Sequence, residues 1–185
     1  MLPIATPLKR QHSTLQHRRS SLTLLGVGGV CNHAGQDGRG GFARLNAAAK
    51  AERAANPNTL NPFDGDMLSP SLQLGFDQGQ NTIDFTNLVP FDLAVPGNHE
   101  FDFGPEVFVE KMKASAYPWA VINITRDDGS AIEGLGGVVV KHVGSLAVAQ
   151  ETSTGSLKFA PTVDSAIAAA KDARDAGADI VVGMV

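Results

Sequence analysis

Short apolar runs alternate with amphipathic stretches along this chain. The runs predict strands, and apolar residues recurring every three or four positions predict helices. The predicted strands cover residues 21–27, 59–63, 93–95, 119–124, 138–143, 146–149 and 180–185. The predicted helices cover residues 42–55, 80–88, 105–114 and 163–176. This alternation predicts an α/β layered fold.

Local signals support several of these boundaries. The alanine-rich helix stops at Asn56-Pro57-Asn58, and Pro105 stands in the first turn of the third helix. Gly144-Ser145 is a hairpin-like pair between two apolar runs. The last strand, 180–185, is almost wholly apolar, as in a sheet that is buried on both faces.

Composition indicates one globular domain with a sizeable core. The chain has 185 residues, 43% hydrophobic and 18% charged, and no apolar run long enough to span a bilayer. The net charge is −4, but residues 1–36 contain four basic residues and no acid, which leaves 11 basic and 19 acidic residues elsewhere. An acidic body argues against a nucleic-acid surface. A single cysteine, Cys31, excludes an internal disulfide.

The N-terminus has two interpretations. Arg18-Arg19 followed by the apolar residues 22–27 could be a twin-arginine export signal, with 1–20 its remnant. Alternatively, 1–20 is a basic tail before a first buried strand. We favour the strand because the spacing back from Gly40-Gly41 fits a first strand that ends just before residues 28–31. In addition, no A-x-A-like cleavage site follows the apolar residues.

Polar loops follow three predicted strands, at residues 28–33, 64–66 and 97–102, and such loops carry the chemistry of α/β folds. In the third loop, Asn98 offers a hard oxygen ligand and His99 can ligate, donate or transfer a proton. Asp102 lies three residues after His99 and could orient its ring. Each also has a structural interpretation: a turn residue, a partly buried polar side chain and a helix cap.

The hexapeptide Gly97-Asn98-His99-Glu100-Phe101-Asp102 resembles the GNHE(F)D block of the calcineurin-like metallophosphoesterases, in their 5′-nucleotidase branch. Gly65-Asp66, Gly40-Gly41-Phe42-Ala43-Arg44-Leu45 and the helix–strand pair at 166–185 match further blocks in order. The resemblance implies a layered sandwich of mixed sheets flanked by helices. It implies that residues 21–185 are the N-terminal portion of the catalytic domain.

The resemblance also implies a mechanism. Two divalent ions (Mn, Zn, Fe or Co) would activate a water that attacks a nucleotide or another phosphate ester. Asp66 would bridge both ions and Asn98 would ligate one; the structural alternative for Asp66 is a turn acid. His99, oriented by Asp102, would stabilise charge on the phosphoryl group. Relatives are expected in the periplasm or outside the cell, and a cytoplasmic location stays open.

The first ligand block of the family, D-x-H, is altered. Gly29 stands at the aspartate position and Cys31 at the histidine position, with Asn32, His33 and Asp37 nearby as substitute donors. The family places further histidine ligands after a strand like 180–185, where this chain ends. We therefore expect a truncated or degenerate domain, with incomplete metal sites and weak or no activity.

Two alternatives to the enzyme remain. The chain could be a non-catalytic binding module that keeps the fold and has lost its metals. It could also be a fragment without a stable fold, associating with itself through exposed core residues such as Val181, Val182 and Val185.

Overall fold

The structure is a computed structural model that describes residues 21–30, 32–69, 76–136, 138–140, 144–147 and 157–184, with the backbone alone at 136, 138–140 and 144–147. The predicted tail 1–20, Cys31 and Val185 lie outside the described residues. The same holds for the ends of the strands predicted at 138–143 and 146–149.

The chain folds into short strands that alternate with helices in its first two thirds. The strands are β1 (Thr23–Leu24), β2 (Thr59–Leu60), β3 (Pro62–Phe63), β4 (Leu93–Ala94), β5 (Trp119–Ala120), β6 (Ile124–Arg126), β7 (Leu135–Gly136), β8 (Val138–Val140), β9 (Gly144–Ala147), β10 (Leu157–Phe159) and β11 (Val181–Met184). The helices are α1 (Phe42–Ala55), α2 (Gln80–Thr86), α3 (Pro105–Ala114) and α4 (Thr162–Asp175), with a 3-10 turn at Asn98–Phe101.

A parallel sheet carries the polar loops. β3, β4, β5 and β7 pair in parallel in that order, and β1 pairs in parallel with β2. A bridge between Val27 and Phe63 joins the two parts. Parallel neighbours require crossover connections, which α1 provides between β1 and β2 and α3 between β4 and β5. The loops after β3 and β4 therefore emerge at the same edge of the sheet.

A second sheet and a helical layer cover the two faces. β11 pairs with β9 in parallel and β8 with β9 antiparallel, while β10 pairs antiparallel with β6. Leu93, Val95, Ala120 and Met184 form one apolar cluster, which links β4 and β5 to β11. The larger core packs Phe63, Phe108, Trp119 and other side chains around the helices. The predicted α/β layered fold, with mixed sheets flanked by helices, is confirmed.

Aromatic side chains dominate the larger core. Phe108 on α3 lies between Phe101 and Trp119, with ring centroids 5.0 and 5.3 Å away and edge-on geometry. Trp119, the single tryptophan of the chain, is only 2% exposed. Each buried aromatic pair of this kind adds about 0.5–1.5 kcal/mol beyond its area burial. The 3-10 turn is therefore held to the core through Phe101.

Several boundaries differ from those that the sequence predicts. The strand predicted at 119–124 is split, because the chain leaves β5 and the Asn123 carbonyl accepts a hydrogen bond from Ala160 N at 2.7 Å. β6 therefore pairs with β10. Neither β10 nor β7 is predicted by the sequence pattern. Gly144 and Ser145 begin β9 and are not a hairpin turn. Helix α2 ends at Thr86, two residues before the predicted end.

None of the helices in the described part of the chain is long and apolar enough to cross a bilayer.

Candidate active site

The loops after β3 and β4 are in tight backbone contact. Gly65 adopts a left-handed conformation, and a Cβ atom there would lie 2.3 Å from the backbone nitrogen of Gly97. A Cβ at Gly97 would lie 2.2 Å from Asp66 Oδ1. Both glycines are therefore required by this close approach. Asp66 itself has φ 62, a conformation that Asp tolerates better than most residues and that often occurs at functional sites.

Glu100 joins these two loops through buried hydrogen bonds. Its side chain is fully buried, and its two carboxylate oxygens accept three backbone hydrogen bonds: from Asp66 N at 2.8 Å, Met67 N at 2.7 Å and Gly97 N at 2.6 Å. Burial raises the pKa of Glu100, while the three N–H donors oppose that shift. One carboxylate thus fixes the backbone on both sides of the candidate site.

His99 and Asp102 are adjacent because residues three apart eclipse each other in a 3-10 turn. His99 Nδ1 lies 2.7 Å from Asp102 Oδ2. Ser69, on the segment after β3, donates a hydrogen bond from Oγ to the same Asp102 oxygen. The ring and the carboxylate are part-exposed, with 32% and 41% of their side chains accessible.

Electrostatics favour a charged His99 beside an ionised Asp102. The hydrogen bond with Asp102 raises the pKa of His99; burial opposes this, and the charges of Asp102, Asp66 and Glu100 add to it. For Asp102, burial opposes ionisation, but the hydrogen bonds from Ser69 and His99 outweigh it, so the pKa of Asp102 lies below its ordinary value. The pair can therefore hold positive charge towards a bound anion.

Asp66 and Asn98 stand beside this pair. The backbone N–H of His99 donates to Asp66 Oδ1 at 3.3 Å, which places that carboxylate at the start of the 3-10 turn. Asn98 is the first residue of the turn, and both Asp66 and Asn98 are partly exposed. The structure thus brings Asp66, Asn98, His99 and Asp102 to one edge of the parallel sheet.

These residues do not fit a complete two-ion centre. Within the described ranges, no group of three or more His, Cys, Asp or Glu side chains is close enough together to hold a metal ion. Asp66 and Asn98 offer two oxygen donors, and two donors do not hold two divalent ions in a defined geometry. Further donors would be needed around them.

Gly29 lies beside the second loop. Its backbone N–H donates to Gly65 O at 3.0 Å, so the loop after β1 runs alongside the loop after β3. Gly29 has φ +65, and a Cβ atom there would meet nothing within 4 Å. The position at which the resemblance expects an aspartate therefore has room for a side chain. Cys31, at the expected histidine position, is outside the described residues.

Two of the three substitute donors suggested by the sequence, His33 and Asp37, have other roles. His33 packs against Phe42 and Phe85, with ring centroids 5.5 and 4.8 Å away, and its Nε2 lies 2.9 Å from Thr82 Oγ1. Burial lowers the pKa of His33, with the charge of Asp77 opposing. The His33 side chain thus packs between helices α1 and α2.

Asp37 lies in a two-residue turn. Its φ is 49 and that of Gly38 is 75, and Gln36 and Arg39 exchange backbone hydrogen bonds of 2.9 and 2.8 Å across it. Positive φ at both central residues and an Asp-Gly sequence are typical of a type I′ hairpin turn. Asp37 and Gly38 therefore have a structural explanation.

Two residues of the site were missed by sequence reasoning. Glu100 stands within the hexapeptide, but nothing local distinguishes a buried acceptor from a surface glutamate. Ser69 is 33 residues from Asp102 in the chain. The sequence signal for each is its position alone: Glu100 belongs to the polar loop 97–102, and Ser69 follows the polar loop 64–66 by three residues.

Comparisons with known proteins agree with the resemblance. The chain is 29% identical over 109 residues to a snake venom 5′-nucleotidase of Gloydius brevicauda, covering 58% of this chain and 18% of that protein. It is 34% identical over 86 residues to a human 5′-nucleotidase, covering 46% of this chain and 15% of that protein. The chain therefore spans less than a fifth of the length of these relatives. A comparison with protein-family profiles found no match.

Solved structures show the same fold. An NAD nucleotidase from Haemophilus influenzae superposes with a TM-score of 0.77 at 18% identity, covering 88% of this chain and 34% of that one. A calcineurin-like phosphoesterase from Bacillus subtilis gives a TM-score of 0.73 at 17% identity, covering 88% and 61%. The chain thus resembles the 5′-nucleotidase branch of the calcineurin-like phosphoesterases, and the resemblance read from the sequence is confirmed.

Proposed function

We propose that residues 21–185 are part of the catalytic domain of a metal-dependent phosphoric monoester hydrolase of the 5′-nucleotidase type. The observation that carries this proposal is the His99–Asp102 pair beside Asp66, at the edge of a parallel sheet where polar loops meet. The names of the curated relatives support a nucleotide, or another phosphate ester, as the substrate.

The side chains have distinct proposed roles. His99 donates a hydrogen bond and positive charge to the phosphoryl oxygens, where negative charge develops during ester hydrolysis. Asp102 orients the ring and stabilises its charged form. Asp66 and Asn98 are oxygen donors towards a divalent ion. The hydrogen bond with Asp102 raises the pKa of His99, which favours the charged ring that this role requires.

We propose that the chain as it stands is weakly active or inactive, because Gly29 and Cys31 replace two expected ligands. The structure suggests a direct test, since a side chain at Gly29 would have open space around it. Asp also adopts a positive φ more readily than most residues. We expect the double variant Gly29→Asp, Cys31→His to hydrolyse AMP in the presence of Mn²⁺ at least about 10-fold faster than the parent chain.

The control is the same double variant with His99→Asn added. Removing a catalytic histidine should lower the rate by about 10²–10⁴-fold, while circular dichroism and the melting temperature show that the chain is still folded. The proposal is wrong if Mn²⁺, Zn²⁺ and Co²⁺ each stabilise the double variant no more than the parent chain. It is also wrong if the double variant releases phosphate at a rate that adding His99→Asn does not lower.

Gly29 also favours a second candidate function, a non-catalytic binding module that keeps the fold without metals. Titrating Mn²⁺ or Zn²⁺ into the parent chain and into the Gly29→Asp, Cys31→His variant, while following the melting temperature, separates the two. A saturable stabilisation that Asp66→Ala abolishes supports the metal-dependent enzyme. An unchanged melting temperature at millimolar metal supports the binding module.

Location and partners belong to the same proposal. We place the protein in the periplasm or outside the cell, which the venom origin of one relative supports. Its acidic body argues against nucleic acid as a partner. Self-association through the partly exposed Val181 and Val182 of β11 stays a prediction, which light scattering can test.

A further inference from the structure

Ser69 occupies a special place beside the His99–Asp102 pair. Its Oγ donates to Asp102 Oδ2, the oxygen that also receives the His99 ring at 2.7 Å. Ser69 is only 8% exposed, whereas the side chains of His99 and Asp102 are 32% and 41% exposed. A buried hydroxyl on one loop therefore anchors a part-exposed pair on another.

The contacts determine which ring nitrogen carries the proton. An ionised carboxylate can only accept hydrogen bonds, so Asp102 requires a proton on His99 Nδ1. Ser69 Oγ lies 3.5 Å from the same nitrogen. The Ser69 hydroxyl donates its own proton to Asp102, so the lone pairs of Oγ face His99 Nδ1. An unprotonated Nδ1 would also present a lone pair, and the repulsion between the two disfavours that form. His99 Nε2 is then the nitrogen available to a phosphoryl group.

We propose that Ser69 is a positioning residue of this site: it holds the Asp102 carboxylate in place and thereby keeps His99 in the tautomer protonated on Nδ1. The use of Nε2 in catalysis rests on the proposed function. The tautomer preference is independent of catalysis, because it follows from the contacts among three side chains of the chain itself.

Nitrogen NMR of the histidine rings in the full ¹⁵N-labelled chain tests this proposal. Spectra are recorded well above the ring pKa, where each neutral ring reports its ratio of tautomers, and the His99 signals are assigned by their loss in His99→Gln. The parent chain should show mainly the Nδ1-protonated form. Ser69→Ala should shift the ratio about five-fold towards the Nε2-protonated form, the effect of one net hydrogen bond of ordinary strength.

Three further variants make the result specific. Ser69→Thr keeps the hydroxyl and should restore the parent ratio, while Ser69→Cys keeps the volume with a weaker donor and should give an intermediate ratio. Ser115→Ala removes a different serine, whose Oγ bonds Lys111 O at 3.0 Å, and should leave His99 unchanged. Equal tautomer ratios in the parent, Ser69→Ala and Ser69→Cys would overturn the proposal.

Failure of this proposal can be distinguished from failure of the proposed function. Phosphate release from AMP is measured on the same variants in the Gly29→Asp, Cys31→His background. A rate of release that His99→Gln leaves unchanged refutes the proposed catalytic role of His99 and leaves the tautomer result standing. Release that is unaffected by Ser69→Ala, together with an unchanged tautomer ratio, refutes the positioning role alone.

Discussion

Replacing Glu100 by glutamine tests the arrangement that holds the two loops of the candidate site together. The substitution keeps the shape of the side chain but turns one carboxylate oxygen into an amide N–H₂ group. The best fit keeps an oxygen where Asp66 N and Gly97 N donate. The amide then faces the N–H of Met67, so two donors meet and the Met67 N–H loses its acceptor.

The cost can be estimated from these contacts. A buried donor without an acceptor costs about 1–3 kcal/mol. The two remaining bonds change from charged to neutral acceptors, a loss of about 1 kcal/mol each. Removing a buried charge, whose pKa burial has raised, offsets part of this. The expected net loss is therefore about 3 kcal/mol, a large share of the roughly 5–15 kcal/mol that stabilises a typical domain.

Urea unfolding followed by Trp119 fluorescence measures this loss, because the single tryptophan is buried in the core. With a slope of about 2 kcal/mol per molar, the midpoint should fall by roughly 1.5 M. Glu52→Gln makes the same chemical change at an exposed position of α1 and should change stability by less than about 0.5 kcal/mol. A Glu100→Gln midpoint indistinguishable from the parent would refute the reasoning.

Three other predictions follow from the structure. In urea unfolding, Gly65→Ala should destabilise the chain by at least about 2 kcal/mol more than Gly129→Ala does. Both glycines have positive φ, but only Gly65 lacks room for a Cβ atom. Equal losses of stability would contradict the backbone contact between Gly65 and Gly97. Burial lowers the pKa of His33 below 6.5, so the stabilisation that the neutral His33 ring contributes is present above pH 6.5 and is lost as the pH falls. The Asp102 contact raises the pKa of His99, so the stabilisation that the charged His99 ring contributes is present below pH 6.5 and is lost as the pH rises. His33→Gln should therefore flatten the acid side of the curve of stability against pH, and His99→Gln should flatten the alkaline side. If each variant flattened the opposite side, the directions of both pKa shifts would be contradicted. Burial raises the pKa of Tyr117, the single tyrosine of the chain, to about 12. The tyrosinate absorbance of the folded chain should therefore appear near pH 12 and shift towards pH 10 in urea. Titration near pH 10 without urea would show that the core around Tyr117 is open.

Local signals were sufficient for much of the fold. Helices α1 and α3 begin and end where apolar spacing, Asn56 and Pro105 predict. Such signals work because helix periodicity and turn chemistry depend on residues a few positions apart. The split of the strand predicted at 119–124 was not predictable in this way, because it depends on Ala160 pairing with Asn123 from 37 residues away.

By itself, the sequence determined which segments carry the polar loops and that Asn98, His99 and Asp102 share one turn. Turn geometry alone brings residues three apart together. Only the tertiary structure decided that Glu100 is the buried acceptor for two loops, that Ser69 anchors Asp102, and that His33 packs among aromatic rings. Those outcomes depend on contacts between residues that are more than thirty positions apart, where burial and the need to satisfy every backbone N–H select the partner.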